Sequence, residues 1–149
     1  MRAIITLSNP GNHGKTQTII NLSSLIEKEY PRLETISSNY HRSEVSKIYR
    51  VGNKVLALES HGDPKSGLKG RLEKIIQCNP ENLTIVTASR TRGETPNDIT
   101  AVAKEYGFNV IWTSNYVTYD KSIDKEKLNN LKAKHLLQML QELKFIPLE

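Results

Sequence analysis

The sequence has 149 residues, 37% of them hydrophobic and 25% charged, with 8 Gly, 6 Pro and a single Cys. That is the length and composition of one globular domain, and it excludes a coiled-coil rod, a collagen-like repeat, a disordered tail, a disulfide-stapled scaffold and a Cys-rich zinc site. The net charge of +5, from 21 Lys+Arg against 16 Asp+Glu, favours polyanions in general and selects none of them. The longest apolar runs, residues 3–7 and 55–58 among them, fall far short of the roughly 20 residues a membrane span needs. The N-terminal segment lacks the arrangement of a secretory signal. A cytoplasmic protein with no membrane partner is expected.

Residues 3–7, Ala-Ile-Ile-Thr-Leu, read as a buried strand closed by Asn9-Pro10-Gly11. From Lys15 the period changes: Ile19, Leu22, Leu25 and Ile26 recur at helical spacing until Pro31 stops the helix. Residues 34–38 form a weak second strand. The runs 46–51 and 54–58 are strand-like and are separated by Gly52-Asn53, a two-residue hairpin signal. Leu68, Leu72, Ile75 and Ile76 mark a short helix that ends before Pro80. Residues 83–87 are β-branched and strand-like. Residues 95–106 read as a helix, with Pro96 near its start and Gly107 just past its end. A strand at 109–113 follows, with Trp112 expected in the core. Leu128, Leu131, Leu136, Leu140 and Leu143 then make the stripe of a last helix that contains His135, expected to be structural, and stops at Pro147.

This alternation predicts an α/β three-layer sandwich: a mainly parallel sheet of five or more strands, helices on both faces, and one antiparallel hairpin toward an edge. Residues 1–149 form one domain on this reading, with no linker or repeat array.

The chemistry is concentrated between the first strand and the first helix, in Ser8-Asn9-Pro10-Gly11-Asn12-His13-Gly14-Lys15-Thr16. A glycine-rich turn lets successive backbone N–H groups wrap a phosphate chain, and the helix that follows directs its positive dipole end at the same anion. The segment resembles the Walker A loop of P-loop NTPases, G-x-x-x-x-G-K-[ST]. One position departs from it: Asn9 stands where the pattern has its first Gly, and Asn tolerates positive φ better than other non-Gly residues. The resemblance implies a single small, kinase-like P-loop domain that binds ATP and Mg²⁺ through Asn9 to Thr16 and Gln17. Lys15 would lie on the outer phosphates and Thr16 on the metal. Two strand orders are compatible with it, the kinase-like one and one with a strand inserted beside the strand of the loop.

Strand ends supply the remaining candidates. Val55-Leu-Ala-Leu58-Glu59 resembles a Walker B element, and Glu59-Ser-His-Gly62 resembles a D-x-x-G switch with Glu in place of Asp. Glu59 or Asp63 would therefore serve the metal or position a nucleophile, with His61 nearby as a proton carrier. Arg90 and Arg92, after the strand 83–87, are candidates for a phosphate clamp. No Asn-Lys-x-Asp follows that strand, so adenine, or no strict base preference, is expected over guanine. His41, Arg42, Lys47, Tyr49 and Arg50 make a basic-aromatic segment. It reads as a second anion site near Arg42, Lys47 and Arg50, as a single-strand nucleic-acid surface, or as an exposed hairpin with Tyr49 packed on its partner strand.

The expected function is a Mg·ATP-dependent phosphotransferase or ATPase. The alternative is a nucleotide-dependent switch with little hydrolysis, acting on a protein or nucleic-acid partner. A nucleic-acid binder indifferent to ATP ranks last, since no helix-turn-helix, zinc-finger or RNP-type motif is present.

Overall fold

In the computed structural model, which describes residues 2–41 and 43–148, the apolar runs become strands of one sheet. The elements in chain order are β1 (Ala3–Ser8), α1 (Lys15–Glu29), β2 (Glu34–His41), β3 (Glu44–Val51), β4 (Lys54–Glu59), α2 (Leu68–Cys78), β5 (Leu83–Ser89), α3 (Glu94–Tyr106), β6 (Asn109–Thr113) and α4 (Lys125–Glu142). Among the described residues the sheet has six strands in the order β2-β3-β4-β5-β1-β6. Of the two strand orders left open, this is the one with an inserted strand, because β5 lies between β1 and β4.

β4, β5, β1 and β6 run parallel, whereas β3 is antiparallel to both neighbours. The hairpin at Gly52-Asn53 forms as expected, and Gly52 adopts the positive φ of 62° that its turn requires. A second hairpin, β2 to β3, does not follow from the sequence pattern. The sheet is therefore mixed, and the expectation of a mainly parallel sheet with one hairpin needs correcting. The reason is compositional. β2 reads Glu-Thr-Ile-Ser-Ser-Asn-Tyr-His, too polar to be covered on both faces as interior parallel strands are, so it is placed at the edge.

Side chains alternate between two cores. Ala3, Ile5 and Leu7 of β1 pack with Ile19 and Leu22 of α1 and Leu136 and Leu140 of α4. Ile4 faces the other way, with Leu72 and Ile75 of α2, Ile99 and Val102 of α3, and Ile85 of β5. Helices thus cover both faces of the parallel strands. Trp112 is not in the core but 47% exposed. β6 is the sheet's other edge, and none of its residues is fully buried.

Parallel strands place all their C-terminal ends along one edge. The segments 9–14, 60–67, 90–93 and 114–124 therefore share it. Because β3 runs against β4, its first residue, Glu44, arrives at this edge too.

Candidate functional site

The loop between β1 and α1 turns on two left-handed residues, Asn12 (φ 62°) and Gly14 (φ 76°). Asn9 does not adopt positive φ; its side chain has a different task. The Asn9 Oδ1 accepts a hydrogen bond from the Asn115 backbone N–H at 2.7 Å, and its own N–H donates to the Ser89 carbonyl at 3.2 Å. Asn115, 4% exposed in the segment after β6, completes the tie. Its Nδ2 donates to the His13 carbonyl at 2.7 Å and to Asn129 Oδ1 at 3.0 Å, while its Oδ1 accepts from Thr18 Oγ1 at 2.7 Å. The loop is held from behind by the buried side chains of Asn9 and Asn115. Lys132 of α4 supports the same segment, donating to Thr113 Oγ1 at 2.7 Å, and burial pushes its amine below the ordinary range.

Lys15 is buried, with only 8% of its surface exposed. Its ammonium donates to the carbonyls of Asn9 (2.8 Å) and Ser89 (2.7 Å), and among the described residues it forms no ion pair with a carboxylate. Burial pulls its pKa from 10.5 to about 8; the field of Asp63 opposes this, that of Arg90 adds to it and that of Glu44 opposes it. The start of α1 has no side-chain cap, which leaves its first N–H groups open to an anion.

Thr16 Oγ1 lies 3.1 Å from both carboxylate oxygens of Glu44. Ser60 Oγ donates to Glu44 Oε2 at 2.6 Å and accepts from the Val45 N–H at 2.8 Å. Neither Glu59 nor Asp63 touches Thr16. The carboxylate at that hydroxyl comes from Glu44, a residue the sequence analysis missed. Only the β2–β3 hairpin brings it there, and that hairpin carries no turn signal.

Glu59 is instead paired with Arg71 of α2, Oε1 to Nε at 2.9 Å. The remaining Arg71 nitrogens donate to the carbonyls of Ser66 and His61. Asp63 pairs with Arg90, Oδ1 to Nε at 3.1 Å. Arg90 is brought to the loop: a Cβ on Gly11 would lie 2.7 Å from its Nη2. Arg92 is not, being exposed with no hydrogen bond or ion pair among the described residues. Gly62, the glycine of the switch-like run, packs on the end of β5, where an added Cβ would fall 1.9 Å from the Ala88 carbonyl oxygen. That close approach is sufficient reason for a glycine there.

His13 contacts the Pro10 carbonyl at 3.0 Å and the Tyr119 hydroxyl at 3.3 Å. With Asn12, Tyr116, Lys125 and Asn129 it lines a cleft of about 120 Å³ beside the loop. Pro10 is exposed at the loop's outer turn. Gln17 is exposed on α1 and donates to Asn21 at 2.9 Å, directed along the helix and not into the loop. His135 meets Tyr116 at 2.5 Å on the surface.

Of the residues expected at the second anion site, Lys47 and Arg50 do not come together. Arg42 lies outside the described residues. Lys47 and Arg50 sit an odd number of positions apart on β3 and so face opposite sides of the sheet. Lys47 pairs with Glu27 at 2.8 Å and Arg50 with Glu34 at 3.4 Å. Tyr49 is fully buried on β3. Its hydroxyl lies 2.6 Å from Ser23 Oγ and 2.5 Å from Glu27 Oε2, and burial raises its pKa to about 12.

A cavity of about 600 Å³ opens on the α2 face of the meander, walled by Ile36, Val45, Ile48 and Ile75, with Glu44 and Glu59 also in its lining. Beside it lies a row of unpartnered oxygens. Glu59, Thr87 and Thr6 are register partners on three adjacent strands. Glu59 Oε2 and the two threonine hydroxyls are the buried side-chain oxygens that lack a hydrogen bond among the described residues. Among these residues, no three of His, Cys, Asp and Glu are grouped to hold a metal by themselves. No protein-family model and no curated protein sequence matches this chain.

Proposed function

We propose that the loop of residues 8–16 binds Mg·ATP and that the protein is a small P-loop ATPase or phosphotransferase. The observation that carries this reading is Lys15: a buried ammonium held, among the described residues, by two main-chain carbonyls, at the C-terminal edge of parallel strands, beneath an uncapped helix start. A phosphate chain satisfies the ammonium and the open N–H groups together, which gives such an anion a charge-assisted site.

The groups around the loop fit the same ligand. Lys15 would hold the outer phosphate oxygens, and Thr16, backed by Glu44, would offer its hydroxyl to the metal. Arg90, released from Asp63, would spread over the phosphates from above Gly11. The cleft of His13, Tyr116 and Tyr119 would take the base. Bound Mg²⁺ supplies charge neutralisation and alignment of the terminal phosphoryl group. The inserted strand β5 departs from the kinase-like order, which moves the ATPase ahead of the kinase. The nucleotide-dependent switch keeps support from one feature: Glu59, Asp63 and Glu44 are each tied to a neighbour, so none is free to activate a nucleophile until those contacts open.

Titration calorimetry of Mg·ATP into the wild type and Lys15→Ala tests the reading, with GTP and inorganic phosphate as controls. Saturable binding weakened about 100-fold or more in the variant is expected, because the loss of charge-assisted bonds costs about 3 kcal/mol. Absence of binding by folded wild type would remove it. Phosphate release in the same samples separates the ATPase from the switch.

A further inference from the structure

Three carboxylates belong to the strand ends and segments around the loop, and two of them are already neutralised. Glu59 is paired with Arg71 at 2.9 Å and Asp63 with Arg90 at 3.1 Å. Glu44 differs. It forms no ion pair among the described residues, and its side chain is met there by the hydroxyls of Thr16 and Ser60. A half-buried carboxylate that faces two hydroxyls keeps its full charge uncompensated, which is the condition a cation relieves.

The distances point the same way. Thr16 Oγ1 stands 3.1 Å from both Glu44 oxygens. A hydroxyl has one hydrogen to donate, and O–H···O bonds ordinarily span about 2.5–3.0 Å, so neither contact is a well-made hydrogen bond. Two oxygens on adjacent corners of an octahedral Mg²⁺, each about 2.1 Å from the ion, are about 3.0 Å apart. The pair Thr16 Oγ1 and Glu44 Oε1 already has that spacing. Oε2 is engaged elsewhere: Ser60 Oγ donates to it at 2.6 Å, and the Val45 N–H donates to Ser60 Oγ at 2.8 Å. The pairing of β3 with β4 thus fixes the carboxylate's orientation and leaves Oε1 for another partner. We infer that Glu44, and not Glu59 or Asp63, is the carboxylate ligand of the divalent cation that accompanies the nucleotide. The inference rests on the nucleotide reading of the loop and names the residue that holds its metal.

The probes are Mn²⁺ and the non-hydrolysable ATP analogue AMP-PNP. Electron–nuclear double resonance of bound Mn²⁺, in protein carrying ¹³C at the glutamate side-chain carboxyls, should show the coupling of a directly bonded carboxylate. An aspartate is silent in that spectrum, and Glu44→Gln should abolish the signal; its survival in the variant would assign it to another glutamate. Titration of Mn²⁺ into the AMP-PNP complex should give an affinity at least about tenfold weaker in Glu44→Gln, since even groups that only support a ligand are worth that much. Glu44→Asp, which keeps the charge, should lose less. AMP-PNP binding in EDTA should be unchanged or tighter in Glu44→Gln, because a negative charge has been removed beside the phosphates. A merely structural role would weaken both. Wild type that binds AMP-PNP neither with nor without metal removes the reading of the loop and this proposal with it. Wild type that binds it but shows no ¹³C coupling, or Glu44→Gln with undiminished Mn²⁺ affinity, overturns this proposal alone. The wild-type spectrum stands even if a variant fails to fold.

Discussion

The two ends of the sheet follow different rules. In the parallel part, β4, β5, β1 and β6, interior strands are apolar on both faces and covered by helices on both sides. β5 is buried at every position. In the meander, β2 and β3 present alternating polar residues, α1 packs on one face, and the other opens into the cavity. Ile36 of β2 is 37% exposed. The parallel part supplies rigidity and the loop that holds Lys15. The meander supplies Glu44, the carboxylate that meets Thr16, and the apolar chamber behind it. One region builds the frame of the site and the other completes it.

The largest effects should separate the two regions by stability. Ile4→Ala, fully buried between β1 and the α2–α3 layer, should cost about 3–4 kcal/mol in urea unfolding through lost burial and a residual cavity. Ile36→Ala in β2 should cost under about 0.5 kcal/mol, since the side chain stays partly in water. Similar losses at both positions would mean that the meander is as tightly packed as the parallel part.

The next effect is one of pH. Lys15 has a folded pKa of about 8 against an ordinary 10.5, so between these values the unfolded chain binds more protons than the folded one. Burying this charge weakens the fold at and below pH 8, and the penalty is relieved as pH rises through that window. A phosphate favours the ammonium. Mg·ATP affinity should therefore be nearly flat below pH 8 and fall by up to about tenfold per unit above it, with one proton taken up on binding. Calorimetry at pH 9 in two buffers of different ionisation enthalpy measures that proton. Lys15→Met should show no uptake.

The smallest effect discriminates between two arginines on one segment. Arg90→Ala should weaken Mg·ATP binding about fivefold to tenfold, the order of one charge-assisted contact. Arg92→Ala should change it less than about twofold, because that side chain is in solvent. Equal effects would show that the segment after β5 acts through its net charge alone.

The alternation of residues 3–7, 83–87 and 109–113 with helical spacing made the α/β layering legible, since a strand buried on both faces must be continuously apolar. Gly14-Lys15-Thr16 marked the loop for the same kind of local reason: a left-handed glycine and a helix start define a strand-to-helix turn within a few residues. Asn9 was visible as a departure from the pattern, but its role was not. Its partner Asn115 is 106 residues away in sequence, and no local period records such a contact.

What the sequence by itself determined was therefore whatever depends on neighbouring residues: the elements, their order, the hairpin at Gly52 and the loop around Lys15. What only the tertiary structure decided was which strands adjoin. The polar β2 folds back on β3 at the edge, which carries Glu44 to Thr16, leaves Glu59 to Arg71, and sends Lys47 and Arg50 to opposite faces. Strand neighbours are chosen by competition for burial across the whole chain, and that competition is settled only when all six strands are in place.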